Sequence, residues 1–355
     1  MSISRLKKSL NARLRRWASR PAWPARPRRR VQWHLDTARQ INLPLRHALT
    51  VKEQSKRTRT MDHELTTARS ELATMQEAVR LAERDASSHD IPRHIWVFWE
   101  QGLARAPDVV RLGLRSWQTL NPDYTITCLD ADSVQDFADF RSIFKLLSID
   151  IGPAHRSDFI RAYLLARYGG IWVDSTTFCW QTLDDWLPAH AEESGFFVFS
   201  QPETRQDRQI KNWFIASSRG NPITCALFEE LAAYNFKQRA TTLAVVSPGK
   251  YRDIAFPGAD RTGHGVLQTL ESRGQAPYFY FHYLFNEAVS HGKARSLWQS
   301  CVREVARHAS SQGAIDEVYI SKQSYRGKYP ASATYRERRA RLLERLDAPA
   351  PHRTA

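Results

Sequence analysis

One stretch of the chain places two carboxylates and a guanidinium at spacings that favour a shared site. Asp158 and Arg161 stand three residues apart in a segment of helical pattern, so they share one helix face. Asp174 follows the apolar run Ile171–Val173 and precedes Ser175-Thr176. Carboxylates accept from sugar hydroxyls, a guanidinium binds diphosphate, and carboxylate or hydroxyl oxygens ligate Mg²⁺ or Mn²⁺. The pattern predicts a sugar-nucleotide site, although Asp158 and Arg161 alone would also suit a surface ion pair.

The elements around these residues alternate between strands and helices. Predicted strands are Ile95–Trp99, Tyr124–Leu129, Ile171–Val173, Phe196–Phe199 and Trp213–Ala216, and predicted helices are Asp108–Leu120, Asp132–Phe140, Arg156–Tyr168 and Asn221–Phe236. Such alternation predicts an α/β fold with parallel strands. Ligands of these sheets bind beyond the carboxyl ends of the strands, which indicates Trp99–Gly102, Asp130 and Asp174. The glycine motifs of dinucleotide-binding and P-loop proteins are absent from the sequence.

The motifs that carry this pattern resemble those of the capsular polysaccharide synthesis glycosyltransferases, which are similar to the DXD-containing GT-A superfamily. The similar segments are Ile91–Gly102, Ser116–Tyr124, His155–Arg161, Tyr168–Phe178, Gly195–Pro202 and Asn212–Pro222. The resemblance covers about residues 91–330. It implies a GT-A fold, which is Rossmann-like with a mostly parallel sheet flanked by helices, here with an N-terminal helical extension. The implied activity is transfer of a sugar from a nucleotide-sugar, with a UDP bias, to a surface, capsular or lipid-linked polysaccharide, with retention of configuration.

The resemblance also implies roles for individual residues. An aromatic at the end of the first strand stacks on the nucleotide base, which matches Trp99 best, with Trp96 as the alternative. Asp158 holds the ribose or sugar, with Ser157 beside it, and Asp130 is a further binding candidate. Arg161 lies near the diphosphate, and with Asp174 it forms the expected catalytic pair.

The same resemblance predicts a divalent cation, Mn²⁺ or Mg²⁺. The D-x-D motif falls on Asp174-Ser175-Thr176, so Thr176 replaces the second carboxylate. A neutral hydroxyl is a poorer ligand for a hard cation, which weakens the expected site. His282, in the aromatic segment Phe279–Phe285, is a further candidate ligand; the alternative is a core histidine in an aromatic strand.

The N-terminal segment is much more basic than the rest of the chain. Residues 1–90 hold 20 Lys and Arg against 9 Asp and Glu, whereas residues 91–355 are nearly balanced. Residues 1–34 form a basic arm and linker with apolar residues at helical spacing: Ile3, Leu6, Leu10, Leu14 and Trp17. This arm predicts binding of residues 1–20 to an anionic membrane surface. A transit peptide, or a disordered arm that contacts nucleic acid, remains open.

A heptad pattern follows within residues 35–88. Its seam is Met61, Leu65, Ala68, Leu72, Met75, Val79 and Ala82. It predicts either a coiled coil that joins copies of the chain through residues 61–82 or a helix that packs on its own domain. The glycosyltransferase domain is expected over 91–330, with a basic C-terminal tail over 331–355.

Composition excludes several classes of protein. No uninterrupted apolar run approaches the ~18 residues of a transmembrane helix. Four widely spaced cysteines argue against a zinc module or a disulfide scaffold. The cysteine usage favours a reducing compartment, and with the basic arm and the family resemblance the expected location is cytoplasmic, peripheral on the inner face of a bacterial membrane. Two alternative functions remain: a sugar-nucleotide binder without catalysis, and a nucleic-acid-binding or scaffold protein that uses the basic arm and the heptad helix.

Overall fold

The computed structural model describes residues 61–202, 206–251 and 261–348. The chain divides into two units, Met1–Thr66 and Thr67–Ala355, and all contacts given below lie within the second. The predicted membrane-binding arm and its linker therefore lie outside the described residues, and so do residues 35–60 of the predicted segment 35–88. No helix in the described part of the chain is long and apolar enough to cross a membrane.

Helices and strands alternate along most of the chain. The helices are α1 (61–84), α2 (Asp108–Leu120), α3 (Phe140–Ile143), α4 (Pro153–Tyr168), α5 (Leu187–Ala191), α6 (Pro222–Asn235), α7 (His264–Glu271), α8 (Tyr280–Ala288), α9 (Gly292–Ser300) and α10 (Ala333–Asp347). The strands are β1 (His94–Phe98), β2 (Thr125–Leu129), β3 (Ile149–Asp150), β4 (Gly170–Asp174), β5 (Thr177–Cys179), β6 (Phe196–Ser200), β7 (Ile210–Ser217), β8 (Leu243–Val246), β9 (Gln275–Pro277), β10 (His308–Ala309) and β11 (Ile320–Lys322).

The main sheet has five strands in the order β2-β1-β4-β7-β6. Strand β1 pairs in parallel with β2 and β4, whereas β7 is antiparallel to both β4 and β6. Four strands therefore share one direction and β7 alone is reversed. The predicted α/β fold with a mostly parallel sheet is confirmed. Two three-stranded sheets accompany it, β3-β8-β9 and β10-β11-β5.

Both faces of the main sheet are covered by apolar side chains. In β1, Trp96 and Phe98 belong to one core cluster, whereas Ile95 and Val97 belong to another on the opposite face. Successive side chains of a strand point to opposite faces. The residues 95–98 of β1 therefore form a continuous apolar run, because neither of their faces meets water.

A glycine pair joins α4 to β4 without a loop. Gly169 and Gly170 have φ angles of +71° and +96°, which favour glycine. A Cβ on Gly170 would also lie 2.6 Å from the carbonyl oxygen of His94. This turn lets the end of the helix lead straight into the central strand of the sheet, and it places residues of α4 beside the end of β4.

The heptad seam packs on its own domain from Ala68 onward. Met75 and Val79 belong to the larger core cluster, and each is only 1% exposed. Ala68 and Ala82 are fully buried within the same chain. Since these seam positions already have intramolecular neighbours, the structure supports the packed helix and not a coiled coil between copies of the chain.

Two regions differ from the sequence-based expectation. Phe279–Phe285 is not a strand, because residues from Tyr280 onward form α8. Nearly every side chain of α8 is buried, so no polar face produces the helical period that a sequence would reveal. The predicted short helix Asp132–Phe140 is replaced by a 3-10 turn at Ser133–Asp136 and by α3.

Candidate active site

A cavity of about 350 Å³ opens at the carboxyl edge of the main sheet. The ends of β1 and β4, the start of α4 and the segment after β11 form its walls. Its lining residues are Phe98, Trp99, Glu100, Gln101, Pro153, Ala154, Ser157, Trp172, Asp174, Ser175, Thr176, Tyr278, Lys322, Gln323, Ser324, Tyr325 and Arg326. This is the edge at which parallel α/β sheets bind their ligands.

The structure brings Asp158, Arg161 and Asp174 together, as the sequence predicts. One guanidinium nitrogen of Arg161 lies 3.1 Å from a carboxylate oxygen of Asp158 and 3.1 Å from one of Asp174. Asp158 and Arg161 are one turn apart on α4, and the glycine turn returns the chain so that β4 ends beside them. Asp174 lines the cavity, whereas Asp158 and Arg161, both predicted to contact the sugar nucleotide, do not, and the Arg161 side chain is only 3% exposed.

Arg161 is held from several sides. Its Nε donates to the carbonyl oxygen of Ser157 at 3.3 Å, and a terminal nitrogen donates to the carbonyl oxygen of Asn212. The guanidinium also lies 5.0 Å from the centre of the Trp172 ring. Because Asn212 Nδ2 donates to Asp158 at 3.1 Å, β7 completes the support of the cluster. Such a buried, multiply bonded guanidinium fixes the geometry of both carboxylates.

Lys322 is a fourth charged member of the site, and sequence reasoning missed it. Its Nζ lies 2.5 Å from the second carboxylate oxygen of Asp174. The short strand β11 brings it there, because β11 pairs with β5, which directly follows Asp174-Ser175-Thr176 in the chain. No local pattern marks Lys322 in the sequence, since its position depends on a pairing between distant segments.

The pKa values of the two aspartates in the cluster are shifted in opposite directions. Burial by itself raises the pKa of Asp174, but Lys322 and Arg161 more than offset it, so the pKa lies below the usual range. Burial also raises the pKa of Asp158, and there Arg161 and His155 do not offset it. Asp174 is therefore the carboxylate that stays ionised at the cavity wall.

The two tryptophan candidates have different positions. Trp99 lies at the cavity wall with its ring centre 5.1 Å from that of Tyr325, in an edge-to-face arrangement. Trp96 is buried, and its Nε1 donates to the carbonyl oxygen of Gly169 at 2.9 Å. The prediction that Trp96 could stack on a base is wrong, because its side chain points into the core and holds the glycine turn.

The remaining predicted residues divide between the cavity and other places. Ser157 and Thr176 line the cavity, whereas Asp130 and His282 do not. The Asp130 carboxylate accepts from the backbone of Asp132 and Ser133 and from the Ser133 hydroxyl, so it closes the turn after β2. His282 is buried within α8. The structure therefore does not place Asp130 and His282 with the other candidates.

A second ion pair, also missed from the sequence, crosses the cavity wall. Nε and a terminal nitrogen of Arg156 both donate to one carboxylate oxygen of Glu100, at 2.9 and 2.6 Å. It ties the residues after β1 to the first turns of α4. The residues that line the cavity therefore include two acidic side chains, Glu100 and Asp174, and two basic ones, Lys322 and Arg326.

The residues around Asp174 do not fit a divalent cation. Within the described ranges, no group of three or more His, Cys, Asp or Glu side chains could hold a metal ion. Both oxygens of Asp174 already accept from cationic side chains, and Thr176 offers only a neutral oxygen. These residues do not offer a ligand set for the predicted divalent cation, and its binding stays a prediction.

Several curated proteins that are similar to part of this chain are glycosyltransferases. It is 32% identical over 150 residues to an O-glycosyltransferase, braB, of Annulohypoxylon truncatum, covering 37% of this chain and 34% of that protein. It is 30% identical over 148 residues to a glycosyltransferase, afumC, of Aspergillus fumigatus, covering 36% of this chain and 37% of that protein. It is 25% identical over 126 residues to the initiation-specific alpha-1,6-mannosyltransferase of Saccharomyces cerevisiae, covering 33% of this chain and 26% of that protein.

The chain thus spans about a third of the length of the first curated relatives it matches. A solved structure, the PaToxG Glycosyltransferase, aligns over 66% of this chain and 93% of its own with 13% identity and a TM-score of 0.32, a likeness too distant to support an argument. The family model described as "Capsular polysaccharide synthesis protein" matches residues 44–243, more than half of the chain. Asp158, Arg161 and Asp174 lie within the residues that match this model, and the chain belongs to the capsular polysaccharide synthesis protein family.

Proposed function

We propose that this protein is a glycosyltransferase that binds a sugar nucleotide in the cavity at the carboxyl edge of the main sheet. The observation that carries the proposal is the cluster of Asp158, Arg161 and Asp174, with Asp174 at the cavity wall. The cluster lies inside the segment that matches the family model, and the curated relatives are glycosyltransferases.

The walls of the cavity offer a group for each part of such a donor. Trp99 and Tyr325 present aromatic surface for the nucleotide base. Asp174 and Ser157 present oxygens that accept from sugar or ribose hydroxyls. Lys322 and Arg326 supply positive charge for the phosphates. The donor is proposed to carry UDP and a hexose, as the resemblance to GT-A enzymes implies.

The chemistry requires stabilisation of a leaving diphosphate and shelter for a cationic sugar. Preorganised cations lower the barrier because they need no rearrangement as negative charge develops. Asp174, held ionised between Arg161 and Lys322, faces the same cavity and stabilises positive charge on the sugar. We propose that the acceptor hydroxyl attacks from the face that the diphosphate leaves, which retains configuration and needs no protein nucleophile.

The family and the basic arm support a proposal for the acceptor and for the location. We propose a surface, capsular or lipid-linked polysaccharide as acceptor, at the inner face of a bacterial membrane. The description of the family supports the acceptor, and the basic apolar stripe within residues 1–20 supports the location. Flotation with anionic vesicles tests the location: the full chain should float and a chain without residues 1–20 should not. Equal flotation of both would refute it.

The decisive experiment compares Asp174→Asn with Asp136→Asn. Asp136 is an exposed aspartate outside the cavity, so its variant controls for loss of a carboxylate. Release of sugar from a panel of sugar nucleotides should fall on the order of 10²–10³-fold in Asp174→Asn and stay unchanged in Asp136→Asn. Thermal unfolding of both variants checks that the fold survives.

Three outcomes separate the alternatives. Equal activity of the two variants would refute the proposed site. Binding of sugar nucleotides by the unmodified chain without any turnover would favour the non-catalytic binder. Salt-sensitive binding of nucleic acid that disappears without residues 1–34, together with no binding of sugar nucleotides, would favour the nucleic-acid or scaffold alternative.

A further inference from the structure

The side chains around Asp174 occupy the positions that a metal ion would need. One of its oxygens accepts from Arg161 and from Trp172 Nε1, each at 3.1 Å. The other faces Lys322 Nζ at 2.5 Å. A divalent cation bound to Asp174 would displace these donors and would lie close to two positive charges. Since like charges repel strongly where water is partly excluded, the arrangement disfavours the metal.

Lys322 also faces the space where the donor's phosphates would lie. Its side chain is 27% exposed and lines the cavity together with Arg326, four residues later in the same segment. A lysine ammonium is a compact point charge that binds phosphate oxygens without fixed directionality. It can therefore contact Asp174 and a diphosphate at the same time, as a bridging metal ion does.

The position of Lys322 is fixed by the fold and not by the ion pair alone. Lys322 is paired across the sheet with Thr177 of β5. The next residue, Gln323, donates its backbone N–H to the carbonyl oxygen of Thr176 at 2.7 Å. The side chain of Gln323 accepts from Tyr329 at 2.5 Å and from Arg338 of α10 at 3.2 Å, and both donors are buried. The ammonium is thus held above the Asp174-Ser175-Thr176 segment before any ligand binds.

We propose that Lys322, assisted by Arg326, neutralises the diphosphate of the donor in the place of a divalent cation, so that this chain binds and uses its sugar nucleotide without metal. The inference rests on the proposed function. In the transfer, the bond between the anomeric carbon and the diphosphate oxygen breaks, and a bond from that carbon to the acceptor oxygen forms. The acceptor's proton passes to the departing phosphate oxygen, while Lys322 stays protonated throughout.

The test measures binding of UDP, GDP and inorganic pyrophosphate to the full chain by titration calorimetry. Each titration is made once with EDTA and once with Mn²⁺. The proposal expects the dissociation constant of the preferred diphosphate to agree within about threefold between the two conditions. Sugar release from the matching sugar nucleotide should likewise persist in EDTA.

Variants identify the group responsible. Lys322→Met, of similar length and uncharged, should weaken binding of the nucleoside diphosphate at least tenfold and leave binding of the nucleoside alone within twofold. Lys322→Arg should recover most of the affinity, because it restores the charge. Lys328→Met is the matched control, since Lys328 is an exposed lysine of the same segment outside the cavity. It should bind like the unmodified chain.

Failure of the inference can be told apart from failure of the proposed function. Binding and turnover that vanish in EDTA and return with Mn²⁺ would overturn the role of Lys322 and leave the glycosyltransferase proposal intact. Unchanged diphosphate affinity in Lys322→Met would do the same. No binding and no turnover with any sugar nucleotide, with or without metal, would overturn both. The EDTA arm uses the unmodified chain, so it decides even where a variant does not fold.

Discussion

Replacement of Arg161 by methionine is the most direct test of the buried cluster. The guanidinium is 3% exposed, and one of its nitrogens lies 3.1 Å from an oxygen of both Asp158 and Asp174. Methionine is similar in length and carries no charge, so Arg161→Met leaves two inward carboxylates with Lys322 as the remaining direct cation. Removal of one partner from a buried ion pair costs about 3–5 kcal/mol. We expect the free energy of unfolding to fall by that amount.

The measurement is urea unfolding followed by tryptophan fluorescence. Arg161→Lys keeps the charge but loses the forked geometry, so its loss should be smaller, about 1–3 kcal/mol. The double variant Asp158→Asn with Arg161→Met removes one of the two carboxylate charges and should recover at least about 1 kcal/mol relative to Arg161→Met. Arg80→Met is the control, because the Arg80 side chain is 60% exposed. Its effect should stay within about 0.5 kcal/mol.

Two results would refute this reasoning. A loss below about 1 kcal/mol in Arg161→Met would mean that the carboxylates do not depend on the guanidinium. A double variant no more stable than Arg161→Met would mean that Asp158 and Arg161 are not coupled. In either case the cluster would be a set of neighbours without the electrostatic support on which the site depends.

Three further predictions follow from the backbone, the tryptophans and one histidine. Gly170→Ala should lower the free energy of unfolding by about 2 kcal/mol or more, because φ is +96° and the added Cβ would lie 2.6 Å from a backbone oxygen. Gly249→Ala is the control, since a Cβ there would have nothing within 4 Å. Equal losses in the two variants would contradict this reasoning. Trp99→Ala should weaken nucleotide binding, measured by calorimetry, by about 1–3 kcal/mol. Trp96→Phe should lower the free energy of unfolding in urea without changing nucleotide affinity. Loss of affinity in Trp96→Phe and not in Trp99→Ala would contradict these roles. Burial lowers the pKa of His308 from 6.5 to about 4. The folded chain therefore binds fewer protons than the unfolded chain between these values, so the His308 contribution is complete above pH 6.5 and is lost, by up to about 3 kcal/mol, as pH falls towards 4. In urea unfolding between pH 6.5 and 4, the free energy of unfolding should fall less in His308→Gln than in the unmodified chain. An equal fall in the two chains would refute this.

The part of the site that sequence reasoning found is the part built from neighbouring residues. Asp158 and Arg161 lie on one helix, and Asp174 ends the strand that follows this helix after a glycine turn, so their local spacing predicts that they meet. The choice between Trp96 and Trp99 was also open to local reasoning. Trp96 lies within a strand whose two faces are both covered, whereas Trp99 follows its end. Only a side chain at the end of such a strand can reach a ligand at the sheet edge.

Two wrong predictions, on His282 and Asp130, and one choice that the sequence left open each have a physical reason. The aromatic segment that contains His282 has no polar face, and without one the sequence does not distinguish a buried helix from a buried strand. Asp130 directly follows a strand and Asp174 is the last residue of one, but the Asp130 carboxylate is held in a turn by Ser133. The heptad seam is real, yet a seam does not specify whether its partner is a second copy or the same chain.

Lys322 shows why the rest of the site was beyond local reasoning. It reaches Asp174 through the pairing of β11 with β5, and that pairing is supported by Gln323, whose side chain is bonded to Arg338 of the C-terminal helix. Lys322 and Asp174 are 148 residues apart in the chain, so no local window of sequence contains both. The carboxylate that would hold the sugar, Asp174, comes from the middle of the chain, and the charge proposed to face the diphosphate, Lys322, comes from near its end. The helix α10 therefore supports the proposed site from a distance, because its Arg338 donates to Gln323, the residue next to Lys322.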